Sequence, residues 1–185
     1  SKELEEFDNR MNRKTKYDRD EWWPDFVDEL GLDLEVSDDL SRELSKLYWD
    51  TYAEEADLYP GTLDVIDYLE EKGYKIGLIT DTDNTKNPKL DRIKPLEFYD
   101  SLEAVVVGGE DTPEPKPDPE PYMKVLSKLD VRPEESVMIG DKPFTDISGA
   151  NSVGMKTILV KRRDWDADDE ADYVIEDLGE IKDIL

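Results

Sequence analysis

Cysteine and histidine are both absent from this 185-residue sequence. Without cysteine there are no disulfide bonds, no thiol nucleophile and no cysteine-ligated zinc site. Without histidine there is no Ser-His-Asp hydrolysis, no histidine metal ligand and no histidine general base. Any chemistry carried by these residues therefore depends on carboxylates, lysine, hydroxyl groups or a bound metal ion.

Basic residues and long apolar runs are also scarce. Lys and Arg total 24 against 49 Asp and Glu, so the formal net charge is −25. Such a chain is a poor partner for nucleic acid or an anionic membrane surface. No apolar run approaches membrane-spanning length and no signal peptide is recognisable, so we expect a soluble, cytoplasmic protein, with no oligomeric state indicated. We hypothesise that the charge reflects a salt-rich, halophilic cytoplasm, in which surface carboxylates keep a protein soluble; a generically acidic surface is the alternative. Because the charge is spread along the chain, we do not expect disorder.

Residues 1–57 show only helical periodicity, which predicts helices over Lys2–Met11, Glu21–Leu30 and Asp38–Glu55. Gly31 is expected to end the second helix, and Ser37 to cap the third. The predicted apolar faces comprise Trp22, Trp23, Phe26, Val27 and Leu30 on the second helix, and Leu40, Leu44, Leu47 and Tyr48 on the third. A basic segment between the first two helices is either a solvated face or a region that attracts an anionic substrate; it holds Arg13, Lys14, Lys16 and Arg19.

After Tyr59-Pro60-Gly61-Thr62 the pattern changes to apolar strands that alternate with helices. Such alternation indicates a parallel sheet that is covered by helices on both faces. The predicted fold is therefore α/β, a three-layer Rossmann-like sheet with an α-helical appendage. Strands are predicted over 75–80, 103–107, 136–139, 156–160 and 173–175, and helices over 62–72, 87–94, 119–129, 145–152 and 178–184.

Polar residues follow three of the predicted strands. A hydroxyl and backbone N–H groups at Thr80 and Asp81 are able to hold phosphate oxygens. Lys116 lies between two prolines that stiffen its loop, and its ammonium suits a phosphate. Asp141 and Asp146 provide the hard oxygen ligands that Mg²⁺ prefers. Each of these signals has a structural alternative: Thr80 as a turn hydroxyl, Lys116 as an exposed lysine in a stiff loop, and Asp141 with Asp146 as an acidic turn. Their order and spacing along the chain favour one common site.

Residues 58–185 resemble the haloacid dehalogenase (HAD) superfamily. "YPGTLDVIDYLEEKGYKIGLITDTDN" is similar to the helix and second motif of that family, and "EPKPDPEPYMKVLSKLDVRPEESVMIGDKPFTDISGANSVGMKTILV" to its third and fourth motifs. The resemblance implies that Thr80, the Asp81 N–H and Lys116 bind the transferring phosphate, with Thr80 and Lys116 catalytic, and that Asp141 and Asp146 bind Mg²⁺. It also implies that residues 1–57 form a helical cap and 58–185 a HAD-like core.

The first motif of the family has no counterpart here. In the family it is a strand ending in Asp-x-Asp-x-Thr/Val before the cap, and it supplies the aspartate nucleophile and the general acid/base. That strand is also central in the sheet, so we expect its two neighbours to lack their shared partner. The run Asp81-Thr82-Asp83-Asn84-Thr85 has the same spacing, but no hydroxyl follows the next strand at Val107-Gly108-Gly109-Glu110, so we interpret it as the second motif.

The resemblance implies a Mg²⁺-dependent phosphohydrolase that acts on a small phosphorylated metabolite, here without its nucleophile strand. Three explanations of the missing motif stay open. The sequence is a fragment, or begins at a late start, of an active phosphatase; the strand comes from a separate peptide or a swapped neighbour; or the chain is a non-catalytic module that binds phosphate and metal. Dehalogenation is another activity of the superfamily, and the acidic pair favours phosphoryl chemistry over it.

Overall fold

The computed structural model describes residues 19–55, 57–83, 89–162 and 171–185. The predicted helix Lys2–Met11 and the basic residues Arg13, Lys14 and Lys16 lie outside this part of the chain. The chain divides into two compact units. We call residues 1–57 with 82–92 the helical unit, and residues 58–81 with 93–185 the α/β unit.

The helical unit contains α1 (Trp22–Glu29) and α2 (Asp38–Glu55), close to their predicted bounds. The indole pair is buried as expected, and Trp23 Nε1 donates a hydrogen bond to Ser45 Oγ at 2.8 Å. Leu47, predicted to be buried, is 63% exposed. It lies two residues from the buried Ser45, and two residues turn a helix by about 200°, which directs Leu47 to the opposite side.

The apolar face predicted for α1 is also shorter than expected. Trp22, Trp23 and Val27 are buried, but Leu30 is 43% exposed because the helix has already ended at Glu29. Gly31 follows with a φ of 67°, a left-handed conformation that suits glycine and stops the helix as predicted.

Asp83, Lys89 and Arg92 form a buried charged group, and its two cations contact the Trp49 ring of the helical unit. Asp83 is only 4% exposed, pairs with Arg92, and lies 4.0 Å from Lys89 Nζ. The Arg92 guanidinium in turn lies 4.1 Å from the centroid of the Trp49 ring on α2. A buried carboxylate is tolerated here because it is paired with cations.

The α/β unit follows the predicted alternation of helices and strands, with bounds within about two residues of the predictions except at the starts of the helices predicted over 145–152 and 178–184, which begin three residues later. Its strands are β1 (Gly77–Asp81), β2 (Ala104–Gly108), β3 (Val137–Gly140), β4 (Lys156–Val160) and β5 (Tyr173–Ile175). Its principal helices are α3 (Thr62–Glu71), α5 (Pro119–Leu129), α6 (Ser148–Val153) and α7 (Ile181–Ile184); α4 (Lys89–Ile93) falls at the boundary with the helical unit.

Two hydrophobic clusters cover the strands of the α/β unit. One joins α5 and α6 to β2 and includes Tyr122, Leu126 and Ala150. The other joins α3 and α7 to β4 and β5 and includes Leu69 and Ile158. Helices therefore pack on strands in both clusters, as the continuous apolar strands predicted.

The strands form two separate parallel sheets, β1-β2 and β3-β4-β5. The first has Gly77 opposite Ala104, and the second has Val137 opposite Lys156. Within the described residues β1 pairs only with β2, and β3 only with β4, as expected if their shared partner is missing. No helix in the described ranges is long and apolar enough to cross a membrane.

The helix predicted over 145–152 begins differently from the expectation. Pro143–Ile147 form a wider turn, in which the N–H of Ile147 reaches the carbonyl of Lys142, and α6 starts only at Ser148. The wider turn allows the Asp146 side chain to face the backbone N–H groups of Asp141 and Lys142. A local hydrogen bond has therefore overridden the regular helix.

We expect Gly149→Ala to destabilise the protein by about 1–3 kcal/mol, because a Cβ on α6 would overlap the Tyr122 ring of α5, 2.6 Å from its Cε2. Chemical denaturation measures the change, with Ser148→Ala, an exposed neighbour on the same helix, as the control. Equal stability of the two variants would contradict this packing.

Candidate active site

Lys116 is the central residue of a charged cluster at the carboxyl ends of β1 and β3. Its Nζ lies 2.6 Å from Asp146 Oδ1 and 4.0 Å from Asp81 Oδ2, and its side chain is only 10% exposed. Burial lowers the pKa of the Lys116 ammonium, but the carboxylates of Asp146 and Asp81 outweigh burial and raise it. Lys116 therefore carries a positive charge that is held in one place.

Asp81 holds the loop of Lys116 through its side chain as well. Asp81 Oδ1 accepts a hydrogen bond from the backbone N–H of Lys116 at 2.9 Å. Gly108 at the end of β2 makes room for this contact, because a Cβ there would lie 2.7 Å from Asp81 Oδ1 and 2.9 Å from Pro115 Cα. Burial raises the pKa of Asp81 despite the attraction of Lys116.

Asp146 joins the loop after β3 to Lys116. Its Oδ1 accepts the hydrogen bond from Lys116 Nζ. Its Oδ2 accepts hydrogen bonds from the backbone N–H groups of Asp141 and Lys142, each at 3.1 Å. Gly140 permits this close approach, since a Cβ there would lie 2.6 Å from Asp146 Cγ. Asp146 therefore orients both the lysine and the loop that carries Asp141.

The buried side chain of Tyr122 holds the loop that carries Asp146. Tyr122 of α5 donates a hydrogen bond to the carbonyl of Thr145 at 2.6 Å. Burial raises the pKa of the Tyr122 phenol, and the nearby carboxylates of Asp146 and Asp81 raise it further, so the phenol remains protonated and keeps donating. This contact fixes the backbone immediately before Asp146.

The residues at this end suit a magnesium ion. Asp141 and Asp146 offer carboxylate oxygens, and Mg²⁺ usually takes one or two carboxylates together with water or phosphate. Asp146 accepts three hydrogen bonds, which fix the direction of its carboxylate. No group of three or more acidic side chains in the described ranges is arranged to hold a metal alone, so water or phosphate oxygens would complete the coordination.

The structure brings Asp81, Lys116 and Asp146 together, with Asp141 close enough to act on the charge of Lys116. Thr80 lies one residue before Asp81 on β1, and successive strand residues point to opposite faces, so its hydroxyl does not share the direction of the Asp81 carboxylate. The predicted magnesium pair therefore sits at one strand end, with Asp146 also bound to lysine.

Sequence reasoning missed the side-chain role of Asp81, because only its backbone N–H entered the prediction. It also missed the direct Lys116–Asp146 pair, since thirty residues separate the two along the chain. The glycines that end β2 and β3 were the available signals, because each marks a place where another atom approaches the backbone closely.

The competing interpretation of residues 81–85 as a nucleophile motif finds no support in the described contacts. The Asp81 carboxylate accepts a hydrogen bond from the backbone N–H of Lys116, and the buried carboxylate of Asp83 lies beside the cations of Arg92 and Lys89. Asn84 and Thr85 lie outside the described residues.

Comparison with known proteins identifies the family. A model of haloacid dehalogenase-like hydrolases matches residues 24–160. The chain belongs to this family. The HAD fold is also found in solved structures. One is a HAD phosphatase from Thermococcus onnurineus, which is 29% identical and superposes with a TM-score of 0.69; the match covers 99% of this chain and 77% of the chain of that phosphatase. A HAD hydrolase of Bacillus subtilis, YfnB, shares the fold with a TM-score of 0.77 at 20% identity, covering 100% of this chain and 83% of its own.

Curated HAD relatives carry phosphatase names. A ribulose-1,5-bisphosphate 5-phosphatase from Halopiger xanaduensis is 33% identical over 77% of this chain and 62% of its own length. A glyceraldehyde 3-phosphate phosphatase from Pyrococcus furiosus is 35% identical over 68% of this chain and 53% of its own. A pyrophosphatase from Bacillus mycoides is 34% identical over 78% of this chain and 66% of its own length. The chain thus spans about half to two thirds of these relatives.

We expect Asp81→Asn to flatten the dependence of stability on pH. Because burial raises the pKa of Asp81 above its ordinary 3.8, the folded state holds this proton more tightly than the unfolded chain, and ionisation of Asp81 costs stability as the pH rises. The melting temperature of the variant relative to the original chain should therefore increase from pH 4 to pH 7, by a few degrees.

The control for this titration is Asp64→Asn, on the first turn of the surface helix α3. Comparing both variants with the original chain removes the general effect of a strongly acidic surface. A relative melting temperature that falls from pH 4 to pH 7 in Asp81→Asn would mean that the ionised carboxylate stabilises the fold, contrary to this expectation.

Proposed function

We propose that this HAD chain belongs to a Mg²⁺-dependent phosphohydrolase that acts on a small phosphomonoester. The observation that carries the proposal is the ammonium of Lys116, held between Asp81, which ends β1, and Asp146, which follows β3; each strand belongs to a parallel sheet. Ligands of parallel α/β sheets bind at such strand ends. The phosphatase names of the relatives support the same reaction class.

In this proposal Lys116 neutralises the oxygens of the transferring phosphoryl group. Its ammonium is held by the hydrogen bond to Asp146, and its loop by the hydrogen bond from the Lys116 backbone N–H to Asp81. Little reorganisation of these groups therefore accompanies the reaction. The backbone N–H of Asp81 would donate to the same group, and the Thr80 hydroxyl, which leaves β1 on the side opposite the Asp81 carboxylate, would approach that group from another direction. Charge stabilisation of this kind accounts for much of the catalysis in phosphoryl transfer.

Asp141 and Asp146 would hold the metal in this proposal. Bound Mg²⁺ supplies positive charge to the phosphoryl oxygens and orients them. In this proposal Asp146 also positions Lys116 and the loop of Asp141. The aspartate nucleophile and the general acid/base that the family uses are not among these 185 residues.

The substrate class follows from the relatives and from the helical unit. The named relatives act on ribulose bisphosphate, glyceraldehyde phosphate and pyrophosphate, all small phosphorylated compounds. We propose residues 1–57 as the cap that closes over such a metabolite, excludes water and selects the substrate. Nucleic acid and anionic membranes are not proposed partners, because the chain carries a net charge of −25.

A second candidate function is a non-catalytic module that binds phosphate and metal. The same cluster of Lys116, Asp141 and Asp146 would serve it, and the absence of a nucleophile motif from these 185 residues does not separate the two functions. A third arrangement, in which a separate peptide completes the active site, uses the same pocket and the same roles for Lys116 and Asp141.

Hydrolysis of p-nitrophenyl phosphate tests the catalytic proposal. We expect turnover by a version of the chain that is extended at the N-terminus by the upstream codons, and loss of turnover in EDTA. Lys116→Ala in that version should lower turnover by about 10²-fold or more, as expected when one oriented charge is removed. Lys72→Ala, which removes an exposed lysine of the α/β unit, is the matched control.

The outcomes separate the candidates. Equal turnover by Lys116→Ala and Lys72→Ala would remove Lys116 from the catalytic role. If the extended version is inactive while Mg²⁺ still raises the melting temperature, and Asp141→Asn abolishes that rise, the binding module is the correct description.

We propose that the surface acidity is an adaptation to a salt-rich cytoplasm. The melting temperature should then rise by several degrees between low and molar KCl, because salt screens the mutual repulsion of the carboxylates. Sucrose at the same osmolality is the control, since it stabilises by exclusion without screening charge. A flat response to KCl would contradict the proposal.

A further inference from the structure

One short segment of the chain holds two neighbouring residues of the loop after β3. Lys116 Nζ contacts Asp146 Oδ1 at 2.6 Å, and Tyr122, near the start of α5, donates its phenol hydrogen to the carbonyl of Thr145 at 2.6 Å. The first contact reaches a side chain, whereas the second reaches the backbone. The loop that carries the proposed metal ligands is therefore held at two adjacent positions.

The backbone of that loop forms a wide turn that its own hydrogen bonds hold weakly. The N–H groups of Thr145, Asp146 and Ile147 all point at the carbonyl of Lys142, with N···O distances of 3.3, 2.8 and 3.4 Å. The first and the last of these distances exceed the usual upper length of about 3.2 Å. Several donors thus share one acceptor, and other contacts must keep the turn in place.

The hydroxyl of Thr145 shows that the wide turn competes with a regular helix. Its oxygen is buried and has no hydrogen-bond partner among the described residues, which costs free energy. A helix that began at Thr145, as the sequence predicts, would use this oxygen as its N-cap and accept the N–H of Ile147. In the structure that N–H reaches the carbonyl of Lys142 instead. The wide turn therefore leaves unsatisfied a group that the regular helix would satisfy.

Tyr122 opposes that regular helix because it fixes the backbone of Thr145. A capping residue takes non-helical φ and ψ angles, so a helix that begins at Thr145 requires the backbone there to move. The Tyr122 ring cannot follow, since the residue is 0% exposed and a Cβ on Gly149 would lie only 2.6 Å from its Cε2. The hydrogen bond from the phenol is therefore compatible with the wide turn and is lost in the regular helix.

We infer that Tyr122 is a positioning residue of the metal site: its hydroxyl keeps residues 143–147 in the wide turn, and the turn directs the Asp146 carboxylate to Lys116 and to the metal. The metal part of this inference rests on the proposed function, whereas the control of the turn does not. Tyr122 acts on the metal through Thr145 and Asp146. Changes to groups that orient a metal ligand typically alter the metal affinity by about 10–100-fold.

Tyr122→Phe tests the inference in the 185-residue chain, because it removes the hydroxyl and keeps the ring. Mn²⁺ alone is the probe, since it shares the preference of Mg²⁺ for oxygen ligands and its binding is measured by the relaxation of water protons. Binding that persists in Asp141→Asn is subtracted as metal held elsewhere on the acidic surface. We expect Tyr122→Phe to weaken the remaining Mn²⁺ binding by about tenfold.

Amide hydrogen exchange, followed by NMR without metal, reports the turn itself. The N–H groups of Asp141 and Lys142 donate to Asp146 Oδ2 only while the wide turn directs that carboxylate to them. We expect both amides to exchange faster in Tyr122→Phe by about tenfold or more, because the regular helix becomes populated. Unchanged exchange at both amides would overturn the inference.

Tyr74→Phe is the matched control, because the Tyr74 phenol also donates to a backbone carbonyl, that of Leu185, at 3.0 Å. Tyr74 precedes β1 and so lies at the end of that strand opposite to Asp81. We expect this variant to bind Mn²⁺ as the original chain does. Urea denaturation gives the loss of stability in each variant. If Tyr122→Phe loses stability but matches Tyr74→Phe in Mn²⁺ binding and amide exchange, Tyr122 is only a structural residue and the inference is overturned.

A second substitution tests the competition between the wide turn and the regular helix. Thr145→Val removes the hydroxyl that would cap the helix, and valine is a poor N-cap. Added to Tyr122→Phe, it should therefore return Mn²⁺ binding to within about threefold of the original chain and slow the exchange of the Asp141 and Lys142 amides again. A double variant that binds and exchanges like Tyr122→Phe would overturn the inference.

The same measurements distinguish a failure of this inference from a failure of the proposed function. If the original chain and Asp141→Asn bind Mn²⁺ equally, the proposed metal site is wrong, and the metal part of the inference is overturned with it. The exchange of the Asp141 and Lys142 amides then decides by itself whether Tyr122 controls the turn. None of these measurements depends on catalytic activity.

Discussion

The contact between Lys116 and Asp146 is the interaction on which the candidate active site depends. A lysine that is only 10% exposed needs a carboxylate partner, because an isolated buried charge is very costly. Asp146 meets this need with one oxygen and uses the other to hold the backbone of Asp141 and Lys142. One side chain therefore joins the proline-bounded loop to the loop after β3.

The surroundings of that pair explain several residues that carry no charge. Gly108 and Gly140 are the points where a side chain would strike Asp81 or Asp146. Tyr122 fixes the carbonyl just before Asp146 and packs against Gly149 on the next helix. The same tyrosine is therefore part of the hydrophobic core and of the support for the charged cluster, which couples core packing to the geometry of the site.

The divided sheet places a different constraint on the molecule. A parallel sheet obtains its interior hydrogen bonds from neighbours on both sides, and β1 and β3 have a neighbour on one side only within the described residues. Their side chains are correspondingly half-buried, although helices cover both faces. The open space of about 600 Å³ that β1 and β3 line is consistent with this one-sided pairing.

Within the described residues, the sequence alone predicted the element types and, to within about three residues, their bounds, since periodicity and helix-ending glycines are local signals. The α2, α5, β4 and β5 segments have their predicted limits for this reason. It also placed Asp81, Lys116, Asp141 and Asp146 at strand ends. Only the tertiary structure decided that Leu30 and Leu47 are exposed, that the helix near Asp146 starts with a wider turn, and that Asp81 holds the Lys116 loop. Those outcomes depend on which distant side chains compete for the same space and the same hydrogen bonds, and such competition has no local pattern in the chain.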